Sequence, residues 1–510
     1  MKKVTNDQDY KQYKKWSLMS LLITFCLLLS VIIPTVIVDP FFQYHKPHQN
    51  ISYIINNQPH QNPGIVKNFD YDSLSTGSSM TANFKTSWFY ETEGLNTIKV
   101  PYSAGVSFNF KTIIELAIQN NPSIKKIYLG LDLDYLVNYK PNDSVIRIPE
   151  YLYDNNLFND VNYVLNKDVI FDYIFPIYKR TINNVPATSF DEYSAWPSSY
   201  RFGMHQLTDR FNFRDIEENP GSPQENSYLN NSRLILETNI LPIIEAYPDI
   251  QFVLFDPPYS ILYWYNLTRS RVLFDSMIQT REYIASRLVE YPNVEYYVFN
   301  DERIIGNLYN YLDISHYSPN VSHYIAQCFA NKKHLLTKDN YAEEINKFRI
   351  IADNFDYSVF YREENPLFSA SSITAYLDLL KDDRYTFFIA ANCPPDTEIP
   401  EYILTKFKEL GLNPDFSSDY IAVVDNGNIL IELASDSDIE RTVQVGDKIV
   451  HLYSLNSENL VEITIEDILP EAVSYSKNET GISIVVYDKA LGRVTDNAHL
   501  ELTDGFPMIR

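Results

Sequence analysis

Two adjacent serines, Ser78 and Ser79, stand in the run "YDSLSTGSSMTANF" at residues 71 to 84, and an aspartate and a histidine, Asp313 and His316, stand three apart in "YLDISHYSP" at residues 311 to 319. A serine hydroxyl is a poor nucleophile until a histidine removes its proton, and the histidine needs a carboxylate to fix its tautomer and stabilise the imidazolium. The two runs supply those three residue types, and their joint chemistry is acyl transfer through a serine ester. Neither run is specific alone. A Gly-x-Ser tripeptide recurs by chance, and an Asp three residues before a His is often a helix cap or a surface pair. Ser318-Pro319, just beyond the histidine, reads as the opening of the helix "NVSHYIAQCFA".

The elements that must carry these loops follow an α/β pattern. From residue 39 to about 335, short apolar runs alternate with longer amphipathic stretches. "NTIKVPYSA" (96 to 104) reads as a strand entering a loop, and "FNFKTIIELAIQNN" (108 to 121) as a helix with an apolar face at Phe110, Ile113, Ile114, Leu116, Ala117 and Ile118. "KKIYLGLDL" (125 to 133) is nearly continuous in apolar residues, as a central parallel strand should be. "ILPIIEAYP" (240 to 248) reads as helical, and the run starting at Ile250 as a buried strand that Pro257 and Pro258 end. Residues 140 to 235, rich in Tyr, Asn and Pro, show no period and read as an insertion over a cleft.

With the serine early and the Asp-x-x-His late in one α/β unit, the arrangement resembles the SGNH (GDSL-like) hydrolase superfamily. The resemblance implies that Gly77-Ser78-Ser79 is the nucleophile block with Ser79 as nucleophile, and that Asp313 and His316 are its acid and base. Within it the chain resembles the membrane-anchored envelope enzymes of the alginate O-acetylation and D-alanyl transfer systems, which tolerate Gly-Ser-Ser at this block. Their start is similar to "VDPFFQYH", which follows the apolar segment here. The same resemblance implies an oxyanion site built from the Ser79 amide, the Gly105 amide in "YSAGVSF" and a third block. At that third block the family has Gly-x-Asn, whereas this chain has Gly130-Leu131-Asp132. An ionised Asp132 repels a developing oxyanion, so it is protonated, or points elsewhere, or activity is weak or absent. Relatives of the transfer type work beside a multi-span acyltransferase, which implies such a membrane partner for this chain.

The N-terminus sets the compartment. After "MKKVTNDQDYKQYKKW" (1 to 16) comes "SLMSLLITFCLLLSVIIPTVIV" (17 to 38), 22 uncharged residues, enough to cross about 30 Å of hydrocarbon at about 1.5 Å per residue. Five lysines precede it and Asp39 follows, so a cytoplasmic tail and an extracytoplasmic remainder are expected. A cleaved signal peptide is the competing reading, but the run is long for a signal core and no small-x-small site follows.

A formal charge of -24, from 66 acidic and 42 basic side chains, repels phosphate backbones and argues against a nucleic-acid partner. Three cysteines do not make a disulfide scaffold, though Cys328 and Cys393 are available as a pair. His45, His48 and His60 lack close ligand spacing, so no metal and no cofactor is expected. In "DPPYSILYWY", Tyr259, Tyr263 and Trp264 are candidates for lining a sugar cleft; at this density aromatic residues are more often core.

Around 335 to 368 the chain becomes charged, and a second pattern begins. "SITAYLDLLKDDRYTFFIAAN" reads as helix then strand, "EYILTKFKELGL" as a helix stopped at Gly411, and "YIAVVDNGNILIEL" as a hairpin turned at Asn426-Gly427. "GISIVVYDKALGRVTDNAHLEL" repeats the hairpin with a turn near Leu491-Gly492. Residues from about 368 to 510 resemble the interleukin-like EMT inducer domain, with the run from Gly481 to Asp488 the most telling piece. That resemblance implies a small β-rich α+β fold and carbohydrate binding. The expected organisation is therefore a tail (1–16), a span (17–38), an α/β domain with a parallel sheet and SGNH-like three-layer build (39–350), and a β-rich domain (351–510). The expected function is that of an esterase or O-acyltransferase on cell-envelope polysaccharide, with a catalytically silent glycan-binding surface protein or envelope scaffold as the alternative.

Overall fold

The computed structural model describes residues 7–209, 211, 213, 225–361, 364–394, 397–503 and 505–510. Strand β1 (Ser73–Thr76) lies between β2 (Thr97–Lys99) and β3 (Lys126–Gly130), and β4 (Gln251–Asp256) and β5 (Val294–Val298) extend the sheet in parallel. The short β6 (Leu335–Leu336) closes the edge antiparallel, giving the order β2-β1-β3-β4-β5-β6. All four residues of β1 are buried, as a strand covered on both faces requires.

The connections explain where a site can form. The chain leaves β1 for β2 through the helix Thr86–Glu93, then turns back past β1 to β3 through the helix Ser107–Asn120. Right-handed crossovers run in opposite directions put those helices on opposite faces. Thr86–Glu93 accordingly packs with Pro319–Asn331, and Ser107–Asn120 with Gln58–Asn68. Such a reversal opens a crevice at the carboxyl ends of the strands beside it. Here those are β1 and β3, which lead directly into Ser79 and Asp132.

Residues 140 to 235 form short helical pieces, among them Val161–Val164, Val169–Ile174, Phe175–Ile182, Met204–Thr208 and Glu225–Ile235; positions 210, 212 and 214 to 224 lie outside the described residues. Long-range side-chain bonds hold the segment. Tyr163 Oη donates to Asp39 at 2.7 Å, Tyr193 Oη donates to Asn62 at 2.6 Å, and the Trp196 amide donates to Asn83 Oδ1 at 2.9 Å.

The expected span lies inside one helix, Asp7–Val38, long and apolar enough to cross a membrane, with its apolar side chains outside. It stops at Asp39, whose φ is 46° and whose carboxylate accepts the amides of Gln43 (2.9 Å), Tyr44 (2.7 Å) and His45 (3.2 Å). Burial pushes the Asp39 carboxyl up despite those bonds.

The C-terminal region is an antiparallel structure in three layers. β7 (Tyr385–Asn392), β8 (Asp419–Asp425), β9 (Asn428–Ser435), β14 (Gly481–Asp488), β15 (Arg493–Leu500) and β16 (Met508–Ile509) form one sheet. A second sheet holds β10 (Ile439–Val445), β11 (Lys448–Leu455), β12 (Leu460–Ile465) and β13 (Val473–Asn478). Alternation along β7 sorts the core: Phe387, Ile389 and Ala391 share a cluster with residues of the helices Ile373–Leu379 and Glu401–Glu409, while Phe388 and Ala390 pack with the second sheet's Val450, Leu452 and Ile463. The β8–β9 hairpin turns as expected at Asn426 (φ 51°) and Gly427 (φ 69°), the pair of positive values that a two-residue turn of this kind needs.

Three expectations change. The helix Tyr341–Asn354 runs through residue 350 and packs on the helix Arg271–Leu288, so the break at 350 divides a helix of the first unit. Strands β5, β6, β10 to β13 and β16 are additional to the expected elements. Cys328 and Cys393 are free, one in the core of the first unit and the other under the C-terminal sheet.

Candidate active site

The chain turns sharply after β1. Gly77 has φ 149°, and a Cβ there would lie 2.6 Å from Thr81 Cγ2, so only glycine lets the strand feed the tight 3-10 turn Ser79–Thr81. Ser78 caps that turn: its Oγ accepts the Met80 amide at 3.2 Å and donates to the Asp132 carboxylate. Ser78 is buried and both roles of its hydroxyl are committed. Ser79 is half-buried and faces the other way, with its Oγ 2.8 Å from His316 Nε2. Behind the turn, buried Lys99 donates to the carbonyls of Ala82 (2.7 Å) and Phe84 (2.8 Å), and burial brings its pKa down to about 7.

His316 arrives from a loop fixed at several points. Its Nδ1 is 2.7 Å from Asp313 Oδ2, and Asp313 Oδ1 accepts the amides of Ser315 (2.9 Å) and His316 (2.8 Å). The next residue, Tyr317, is buried and donates its hydroxyl to the Met80 carbonyl at 2.7 Å, joining the histidine loop to the serine turn. Ser260 donates its Oγ to the Ile314 carbonyl at 2.7 Å, and Tyr311 Oη donates to the Pro258 carbonyl at 2.7 Å. The structure thus brings Ser79, His316 and Asp313 into one hydrogen-bonded line.

Electrostatics fit a base at the centre of that line. Burial works against a charged His316, but the hydrogen bond and charge of Asp313, with the charge of Asp132, outweigh it and raise the imidazole above its ordinary value. For Asp313, burial alone would raise the carboxyl; the bonds from His316 and the Ser315 amide, with the imidazolium charge, hold it below the usual range instead. An imidazole so placed has the geometry to accept a proton from Ser79 Oγ with an ionised carboxylate on its other nitrogen.

The residues expected around the triad fare differently. The Ser79 amide is the first N–H of the 3-10 turn, a position that has no partner within the turn. The Gly105 amide cannot serve as it stands, because it donates to the Tyr102 carbonyl at 2.7 Å. Glycine is needed there for close approach: a Cβ would sit 2.5 Å from Tyr102 Cβ. Asp132 is buried, its carboxylate accepts from the Ser78 and Tyr259 hydroxyls, and burial pushes its pKa up to about 6. It braces the serine turn rather than offering a donor.

Tyr259 is buried and bonded to Asp132, so it does not line a cleft. Trp264 is likewise buried, with Phe348 at 4.3 Å between ring centroids and the Arg281 guanidinium 5.2 Å from its ring. Tyr263 alone of the three stays half-exposed, packed on Tyr259. The aromatic residue that does meet the site is Trp196, whose ring is 5.2 Å from His316, edge to face, with Phe202 stacked 6.2 Å beyond it and Tyr200 at 6.1 Å. It comes from the aperiodic segment, and only the aromatic density of "SAWPSSYRF" marked it in the sequence. No cluster of three or more His, Cys, Asp or Glu side chains able to hold a metal occurs among the described residues.

The C-terminal region abuts the loop that precedes the base. Asn307 Nδ2 donates to Tyr475 Oη at 2.9 Å, Tyr309 Oη donates to Asn497 at 2.8 Å, and His205 Nε2 lies 2.5 Å from Asp496 Oδ1. Between the two units is a cavity of about 420 Å³ whose walls include Arg303, Tyr309, Phe360, Tyr475 and Arg493.

No protein-family model matches the chain, and no curated protein matches it. One solved structure, from Streptococcus pneumonia and described provisionally as a platelet activating factor, overlaps 62% of this chain and 97% of its own, at 12% identity and a TM-score of 0.25. An overlap that loose assigns neither fold nor activity.

Proposed function

We propose that this chain is a membrane-anchored, extracytoplasmic serine esterase or O-acyltransferase of the SGNH type that acts on acylated cell-envelope polysaccharide. The observation that carries the reading is the unbroken line Ser79 Oγ–His316 Nε2 (2.8 Å) and His316 Nδ1–Asp313 Oδ2 (2.7 Å) at the carboxyl end of β1. In the first half-reaction Ser79 Oγ bonds to the acyl carbon while its proton passes to His316. His316 then protonates the departing alcohol oxygen, leaving an acyl-serine. In the second half-reaction His316 deprotonates a water or a sugar hydroxyl, that oxygen attacks the acyl carbon, and Ser79 recovers the proton. Asp313 stays ionised throughout. Water as acceptor gives deacylation, and a sugar hydroxyl gives transfer.

On this reading the helix Asp7–Val38 holds both units outside the membrane, the C-terminal region binds and positions the glycan in the manner of an interleukin-like EMT inducer domain, and a multi-span acyltransferase supplies acyl groups if the enzyme works by transfer. The test is to incubate the full chain in detergent with an O-acetylated polysaccharide and measure acetate release and acetyl exchange. Loss of both in Ser79→Ala supports the enzyme; equal rates in the variant and the wild type overturn it.

A second reading, a glycan-binding protein without turnover, is favoured by one observation. Of the three oxyanion donors expected, Gly105 is engaged elsewhere and Asp132 presents a carboxylate, which leaves the Ser79 amide. One missing donor typically costs about 2.7 to 4 kcal/mol of transition-state stabilisation. Retention on an immobilised envelope polysaccharide with no acyl release would select this second reading.

A further inference from the structure

The segment from Leu157 to Ile182 carries an apolar face that the fold does not use. Phe158 is 94% exposed, and Leu157 and Val161 beside it are also outside. In the continuous helix made by Val169–Ile174 and Phe175–Ile182, the residues Phe171, Phe175, Tyr178 and Ile182 recur three or four apart, so they share one face. All four are more than half exposed, and the rings of Phe171 and Phe175 touch at 5.6 Å between centroids. Val169, Ile174 and Ile177 fill the opposite face and are buried. One helix therefore has two apolar faces, of which a single one is covered. A stripe of this kind on a water-facing surface marks an interaction site.

Its position says what covers it. The helix packs against the end of Asp7–Val38, and Phe41, just past that end, stacks on Tyr163 at 4.9 Å and meets Tyr173 edge-on at 4.8 Å. Tyr163 in turn is bonded to Asp39, the residue at which the long apolar helix stops. The stripe is thus fixed beside the point where the chain would leave a bilayer. Lys167 and Lys179 are exposed on the same segment, matched in number by the exposed acids Asp168 and Asp172. Aromatic and aliphatic residues gathered on one face suit the boundary between acyl chains and headgroups.

We propose that the helix Val169–Ile182, together with Phe158, lies in the interfacial layer of the membrane from which Asp7–Val38 emerges, so that the protein holds one leaflet at two points and its catalytic crevice keeps a fixed orientation to the surface. The proposal rests on reading Asp7–Val38 as an anchor and is independent of the serine chemistry.

The experiment uses the full chain in vesicles of phosphatidylethanolamine and phosphatidylglycerol without other proteins. Cys26, exposed on the apolar helix, takes an environment-sensitive fluorophore, whereas Cys328 and Cys393 are buried and their thiols are pushed up to about 11 and about 12. In a Cys26→Ser background the fluorophore is moved to Phe175→Cys, to Tyr178→Cys, or to Tyr402→Cys as an exposed C-terminal control. Lipid nitroxides near the headgroups should quench positions 175 and 178, and iodide in the water should reach them roughly five-fold less than position 402. Chain-end nitroxides should quench the Cys26 label. If positions 175 and 178 are as open to iodide as 402 while Cys26 is quenched by lipid, the anchor stands and the proposal falls, leaving the stripe as a seat for a protein partner. If lipid does not quench Cys26, both the anchor and the proposal fall.

Discussion

Tyr317 Oη donates to the Met80 carbonyl at 2.7 Å, so the residue after the proposed base is bonded to the residue after the proposed nucleophile. The 2.8 Å contact between Ser79 and His316, whose positions are 237 apart, therefore rests on a second, buried contact of the same sequence separation. Tyr317→Phe keeps the ring and removes the bond. Leaving the buried carbonyl unpaired should cost about 1–3 kcal/mol of stability. Ester turnover should fall roughly 10-fold or more as the two loops loosen. Thermal unfolding and hydrolysis of a small ester read the two effects separately.

Turnover should depend on pH through His316. In the proposed mechanism the neutral imidazole is the working base, and its pKa is raised above the ordinary 6.5. Activity should therefore be full at alkaline pH and be lost as pH falls through a midpoint above 6.5. Asp313→Asn removes the largest raising influence, so the midpoint should move to lower pH, and the plateau should drop by about 10³- to 10⁴-fold as the imidazole loses its orienting partner. Asp132→Asn should move the midpoint the same way by less, because Asp132 acts on His316 through charge alone. The pH profile of kcat/KM checks both signs.

Trp196 should separate large substrates from small ones. Its ring borders His316 at 5.2 Å and is continued by Phe202 and Tyr200. Losing a stacking surface worth about 0.5–1.5 kcal/mol should raise KM for a polysaccharide roughly 2- to 10-fold in Trp196→Ala. KM for a nitrophenyl ester should change little. Steady-state kinetics on both substrates measure the split.

Stability should depend on the buried pair beneath the site. Arg281 Nη2 lies 2.7 Å from Asp256 Oδ2, at the end of β4 where the loop that supports His316 begins, and it also donates to Asn300 at 3.0 Å. Arg281→Ala leaves Asp256 buried and unpaired, and should destabilise the protein by about 3–5 kcal/mol. Chemical denaturation of the variant checks this.

Local patterning made the scaffold of the crevice readable. β3, β4 and the helix Ser107–Asn120 declared themselves by apolar continuity or helical period, and the Asn426-Gly427 turn by its residue types. The serine turn and the Asp-x-x-His loop were visible because each is a short run with its own chemistry. What escaped reading depends on partners far along the chain. Trp196 reaches His316 because its amide is held by Asn83 and its segment by Tyr163 on Asp39 and Tyr193 on Asn62, none of which leaves a periodic trace. The fate of Gly105 was hidden for another reason: whether an amide faces a substrate or the Tyr102 carbonyl is decided by a few ångströms of turn geometry. Strands β10 to β13 mix polar and apolar residues in a half-buried pattern that is diluted in β10, where Glu440, Arg441 and Thr442 are all exposed.

The most direct measurement is covalent labelling of the full chain by a fluorophosphonate, with the modified residue mapped by peptide mass spectrometry. The account predicts adduct on Ser79, none in Ser79→Ala or His316→Ala, and labelling retained in Ser78→Ala at a rate reduced by loss of the turn's cap. Adduct on another serine, or equal labelling of wild type and Ser79→Ala, would contradict it.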